Sequence, residues 1–341
     1  MNAEHAEAIE SRFLCELGEL CVERRDGSSG GLYFRVPRVD LLVVGEAFED
    51  LIFAGLPRLP KRGEELRCAH YVSTVGGGAV ITAAAAARLG VATGVISALS
   101  AAGVRYLRTQ RVHITNVKRA DEPHAVTAAL STPDERSLVT FDGVNVKLEP
   151  RLLRAMRRQR PRHVHFALAP VRIDRWIRLV DRLRAGGITT SWDFGWNPSI
   201  RARTGLDRLI AGLDVVFMNA AEASLYARAR RRARTAVIKL GARGSRWLSR
   251  TVDVTVSAPR VRVVDTTGAG DAFNGGFLAG FLEGRPPRDC LRRGNVVGAA
   301  STTKAGGLAG LPSLRASRSH LRAARSGGQA GGQAGGQRRR S

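Results

Sequence analysis

Lysine, aromatic residues and cysteine are all scarce in this 341-residue chain. Lysine stands only at positions 61, 118, 147, 239 and 304, so the formal charge of +24 at pH 7 is carried almost wholly by arginine. Aromatic residues make up 6% of the chain and no nucleic-acid motif accompanies the charge. That argues against a nucleic-acid partner, because such surfaces interleave basic residues with stacking rings. The excess reads as arginine on solvated faces, as a basic end, or as attraction for anionic small molecules. The four cysteines, Cys15, Cys21, Cys68 and Cys290, form no Cys-x-x-Cys pair and no metal-ligand spacing. They are expected to be free thiols in a reducing cytosol. The acidic N-terminus lacks an apolar leader, and the longest apolar stretch, between Val75 and Val104, is rich in Gly and Ala and broken by Arg88. A secretory leader and a membrane span are therefore not expected, and the protein is expected in the cytoplasm.

What is present is best read from Val264-Asp265-Thr266-Thr267-Gly268-Ala269-Gly270-Asp271. An alternating run, Val261 to Val264, precedes it, and Phe273, Phe277, Leu278, Phe281 and Leu282 follow at helical spacing. The pattern predicts strand, glycine turn and helix. Gly268 and Gly270 allow a tight turn whose N–H groups sit at the positive end of the new helix, a natural anion site. Asp271 beside such a hole suits a general base facing a phosphoryl group. Taken alone, a Gly-x-Gly turn is as consistent with plain helix packing. No Gly-Lys-Ser/Thr follows, which excludes a Walker A loop, and Phe273 stands where a dinucleotide fingerprint needs its third glycine.

The string from Asp265 to Phe273 resembles the signature of the ribokinase-like carbohydrate kinases, the phosphofructokinase B family, and the resemblance runs from about Val39 to Ser313. It implies an α/β fold with a doubly wound, mostly parallel central sheet flanked by helices, and a small β-sheet lid. It also implies transfer of the γ-phosphoryl of ATP to a hydroxyl of a small sugar, with Mg²⁺ at the phosphates. On the matching positions, Asp271 would be the base and the Gly268, Ala269 and Gly270 backbone the anion hole. Asp50, Gly76, Gly77 and Asn274 would hold the sugar. Asp193, Asn197, Asn219, Lys239, Gly241, Gly244 and Asn295 would line the ATP site. Asn219 and Glu222 would steer Mg²⁺ through water, although the same pair reads as a helix capping box. A monovalent cation such as K⁺ would lie near Asp265 and Thr267. Two departures touch the substrate side. Ile81 stands where relatives carry a sugar-binding Asn, and Leu99-Ser100-Ala101-Ala102-Gly103 replaces a segment with two acids.

Residues 1–37 read as a partly ordered extension with a short helix over Ile9 to Val22, and 38–313 as the kinase domain. Lid strands are expected within about 47–75 and 122–145, where they would also allow a homodimer. Residues 314–341, Arg-, Ser- and Gly-rich, read as a disordered basic tail. Further strands are expected at Val39–Gly45, His163–Phe166, Ile188–Asp193, Val215–Met218 and Val237–Leu240. Helices are expected at Ala79–Leu89, Arg151–Arg158, Arg172–Ala185, Ala220–Ala233 and Asn295–Thr303. His163 and His165 alternate on one strand without a third ligand, and so are expected in the core. A nucleoside kinase and a catalytically weak sugar-binding or regulatory member remain alternatives to the sugar kinase.

Overall fold

The computed structural model describes residues 21–22, 34–35, 39–132, 136–195, 197–200, 203–317 and 319. Its larger sheet is built from β1 (Leu41–Gly45), β4 (Thr93–Ser97), β5 (His113–Asn116), β8 (His163–Ala167), β9 (Thr189–Asp193), β10 (Val215–Asn219), β11 (Thr235–Lys239), β12 (Ser245–Ser249) and β13 (Asp253–Val256). The order is β13-β12-β11-β10-β9-β8-β1-β4-β5. All neighbours are parallel except β11–β12 and β12–β13. β1, β4 and β8 are buried at every position, as expected of parallel strands covered on both faces.

One face is covered by α3 (Leu148–Ala155), α4 (Ile173–Ala185) and α5 (Leu206–Gly212). In α4, Ile173, Trp176, Ile177, Val180 and Leu183 turn inward, the stripe of an amphipathic helix. The other face carries α1 (Gly78–Arg88), α2 (Ala101–Thr109), α8 (Ala269–Leu282) and α9 (Pro287–Ser301). These helices are built from small residues because they nearly touch. A Cβ on Gly275 would lie 2.6 Å from Ala85 Cβ, and one on Gly294 2.7 Å from Phe273 Cε2. Beyond the sheet's carboxyl edge lies a second sheet of β2 (Phe48–Ala54), β3 (His70–Gly76), β6 (Val126–Ser131) and β7 (Arg136–Phe141), in the order β3-β2-β6-β7.

Several expectations shift. Val261–Val264 is not a strand: Val261, Val263 and Val264 are exposed, and the segment leaves the sheet to bond through Val264 N–H to Thr302 O (2.8 Å). Alternation there reflects no buried face. The helix expected over Ala220–Ala233 is two, α6 (Ala220–Leu225) and α7 (Ala227–Arg230), parted at the buried Tyr226. The helix expected at Arg151 begins earlier, at Leu148. Most of Ile9–Val22 lies outside the described residues, but Cys21–Val22 is extended and pairs with Phe34–Arg35. Residues 314–317 form a helical turn that buries Ser317, and residues 318 and 320–341 of the expected tail lie outside the described ones.

Candidate active site

The crevice sits where such sheets bind ligands, beyond the carboxyl ends of the strands. Its floor is the turn before α8. Asp265 Oδ1 accepts from Thr267 N–H (2.9 Å) and Oγ1 (2.7 Å), and Oδ2 accepts from Gly306 N–H (2.9 Å). Gly268, the N-cap of α8, has φ +68°, a conformation costly for any residue with a Cβ. Gly270 is helical, so its glycine has another reason: a Cβ there would stand 3.0 Å from Lys239 Nζ. Among the described residues the N–H groups of Gly268 and Gly270 meet no backbone acceptor, while that of Ala269 makes a long bond to Thr266 O (3.3 Å). Orphan donors at a helix N-terminus are the ingredients of an anion hole.

Asp271 follows at once in the first turn of α8. One carboxylate oxygen lies against α1, where a Cβ on Gly78 would be 3.2 Å from Oδ1. Burial, then the nearby Asp193, pushes its pKa up to about 7. Lys239 pulls the other way, and Glu222 and Asp50 add to the rise. A carboxyl poised near neutrality is suited to taking a proton.

Lys239 ends β11 and points at Asp193, which ends β9. Their Nζ–Oδ2 distance is 2.6 Å. The same oxygen accepts from Asn274 Nδ2 (2.7 Å). Asn274 is fully buried and stands behind Asp193, not in the crevice as a substrate contact. Lys239 is held above its usual range by Asp193 and Asp271 against the pull of burial.

Asn219 caps α6: its Oδ1 accepts from Glu222 N–H (2.8 Å), and Glu222 Oε2 accepts from Asn219 N–H (2.8 Å). Glu222 is buried and its pKa is raised by that burial and by Asp193. Among the described residues no three acidic, His or Cys side chains come together as a metal site. This donor set fits an ion held by phosphate oxygens and water with Glu222 at one remove, the way Mg²⁺ is commonly bound.

On the lid side, Asp50 is buried and its Oδ2 lies 2.0 Å from where a Cβ on Gly76 would stand. Gly77, with φ +90°, packs on Glu46 O and Ala47 Cα. Ile81 does not face this pocket: its Cδ1 is 2.3 Å from a Cβ built on Gly268 and 2.8 Å from one on Gly307. A small cleft beneath the lid is lined by Ala47, Phe48, Val75, Val80, Leu99 and Ser100, among others. Sequence reasoning missed Glu46. Burial and Asp142 push its carboxyl up to about 7; the signal was an acid directly after the strand-ending Gly45.

On the other side, Gly241 (φ +62°) has open space where a Cβ would point. Gly244 does not: its Cβ would meet Val256 O at 2.0 Å, so that glycine serves packing. Asn197 Oδ1 accepts from Ser199 N–H (3.1 Å) in a turn braced by Tyr226. Asn295 is buried and donates to Val256 O (2.9 Å), tying α9 to β13. Asn295 is buried in that contact, whereas Asn197 is half-exposed.

Residues 39–314 match the family described as pfkB family carbohydrate kinase. An acarbose 7(IV)-phosphotransferase from an Actinoplanes species is 34% identical over 185 residues, 50% of this chain and 60% of that protein. The chain spans less than two thirds of the length of several curated relatives it matches. Among solved structures, adenosine kinase from Sinorhizobium meliloti aligns over 85% of this chain and 99% of its own, with TM-score 0.69 and 26% identity. Ribokinase from Arabidopsis thaliana, complexed with ribose and ATP, aligns over 83% and 99%, with TM-score 0.64 and 21% identity. With its sheet, lid and glycine turn in place, the chain belongs to the pfkB family of carbohydrate kinases.

Proposed function

We propose that this protein transfers the γ-phosphoryl group of ATP to a hydroxyl of a small carbohydrate. The observation that carries the reading is Asp271, poised near neutrality one residue beyond Gly270, whose N–H meets no backbone acceptor among the described residues. In this reading the sugar hydroxyl gives its proton to Asp271 as its oxygen bonds to the γ-phosphorus and the bond to the β-phosphate oxygen breaks. The Gly268 and Gly270 N–H groups take up charge on the phosphoryl oxygens, with Ala269 N–H joining if it leaves Thr266 O. Mg²⁺, when bound through water near Glu222 and Asn219, supplies charge neutralisation at the phosphates. ATP approaches the backbone at Gly241, and a monovalent cation belongs beside the Asp265–Thr267 turn. Asp50 and the backbone at Gly76 and Gly77 receive the sugar. One face of the lid sheet shows Tyr71, Val139 and Phe141 to solvent, apolar side chains suited to a homodimer partner.

The likeness to an adenosine kinase from Sinorhizobium meliloti supports a second reading, in which the acceptor hydroxyl belongs to a nucleoside.

ADP release from Mg·ATP, measured across pentoses, hexoses, sugar acids, sugar phosphates, glycosides and nucleosides with Asp271→Asn as control, tests both. Turnover on one compound, lost in the variant, is expected. Silence across the panel, with ATP still protecting against heat, would mean a ligand-binding protein without catalysis.

A further inference from the structure

Five charged or chargeable groups meet at the carboxyl edge of the sheet with a single cation among them. Facing Asp271 are Asp193 from β9, Lys239 from β11, Glu222 from α6 and Asp50 from the lid strand β2. Lys239 is enclosed, with 14% of its side chain exposed, against 9% for Asp193. Its ammonium is held by the 2.6 Å pair with Asp193, whose same oxygen the Asn274 amide fixes at 2.7 Å, and Nζ lies beside the Cβ-less face of Gly270. A Cβ at 270 would make Nζ give way by a few tenths of an ångström, so the glycine keeps the lysine close to the turn.

We propose that Lys239 is a positioning residue for phosphoryl transfer: clamped by Asp193 and Asn274 against Gly270, it is the built-in cation that sets the charge balance around Asp271 and the anion turn. The inference rests on the reading of Asp271 as the base. An ammonium enclosed with four carboxyls acts through space at low effective dielectric, where it is felt far more strongly than on a wet surface. Its pull on Asp271 opposes burial and Asp193, the two larger influences that favour the protonated carboxyl. Asp193 therefore has two opposed effects, holding the lysine in place while itself repelling charge on Asp271. Removing one partner or the other should move Asp271 in opposite directions, which a purely structural ion pair would not do.

The test is a ¹³C-carboxyl NMR titration of the full chain labelled at aspartate, with the Asp271 resonance assigned by its loss in Asp271→Asn. In Lys239→Met the Asp271 midpoint is expected to rise by about one unit or more, and in Asp193→Asn to fall by a similar amount. Lys239→Arg, which keeps the charge, should stay close to wild type. Once the panel has supplied a substrate, the acidic limb of the kcat/KM profile should move with each midpoint. Midpoints that stay put, or move the same way in Lys239→Met and Asp193→Asn, overturn the proposal. Should Lys239→Met not fold, Lys239→Gln takes its place, with the same rise of the Asp271 midpoint expected and an unmoved midpoint overturning the proposal. Retained turnover in Asp271→Asn would instead remove the general base while leaving the NMR coupling measurable, so the two failures are distinguishable.

Discussion

Ile81 and Gly268 are in direct packing contact: the isoleucine Cδ1 lies 2.3 Å from the point where a Cβ on Gly268 would stand. The first turns of α1 and α8 are thereby wedged together beneath the crevice. Ile81, standing where the resemblance places an asparagine, thus packs beneath the turn that opens α8. Ile81 is 1% exposed, packed against Gly268 and Gly307.

Restoring the asparagine should therefore weaken the fold. Ile81→Asn exchanges buried methyl groups for an amide in this close-packed contact, and is expected to cost roughly 2–4 kcal/mol. Denaturant midpoints check this. An unchanged midpoint with a lower KM for a free sugar would show instead that the position still serves the substrate.

Much of this site was legible in the chain because the elements that carry it are locally encoded. The 265–271 turn, the Asn219–Glu222 box and the small-residue helix at 78–88 each announce themselves by residue types at fixed spacing. What stayed hidden is long-range. That Gly270 makes room for Lys239, that Gly244 packs on Val256, and that Asn274 backs Asp193 across 81 residues are consequences of tertiary contact, to which spacing is blind. The false strand at Val261–Val264 has the same origin, since alternation shows a pattern and not whether a second sheet edge is there to receive it.

Asp271→Asn keeps the shape of the carboxyl but cannot take a proton, and should lower kcat by about 10²–10⁴-fold while ATP still binds. In the wild type the carboxyl is pushed up to about 7. A base works deprotonated, so kcat/KM should climb as pH rises through about 7 and level off above it. A profile flat from pH 5 to 8 would exclude Asp271 as the titrating base.

The lid carries its own prediction. Tyr71 on β3 and Val139 and Phe141 on β7 share one face of the lid sheet and are each more than half exposed, a state that solvent penalises. If a second copy covers them, Val139→Asp together with Phe141→Asp should turn a dimer into a monomer in light scattering while leaving the thermal midpoint of the core nearly unchanged. A wild type that is monomeric at high concentration would refute the dimer directly.

The last prediction concerns two groups the proposed chemistry does not use. His163 and His165 are fully buried on β8. His163 bonds to Thr189 Oγ1 and Ser191 Oγ, and His165 to Ser191 Oγ, each at 2.8 Å. Burial pulls their pKa values down to about 3 and about 4, the neighbouring His165 adding to the effect on His163. In the unfolded chain both titrate near 6.5. Between those limits the unfolded state holds protons that the native state refuses, so stability rises with pH across the window. The contribution is complete above about pH 6.5 and drains away as pH falls towards 4, at up to about 1.4 kcal/mol per pH unit for each histidine. Urea midpoints of wild type and a His163→Asn, His165→Asn variant, compared at pH 7.5 and pH 5, check it. The wild type should lose markedly more stability on acidification than the variant, because carboxylate titrations are common to both and cancel. Equal losses would place the acid sensitivity elsewhere.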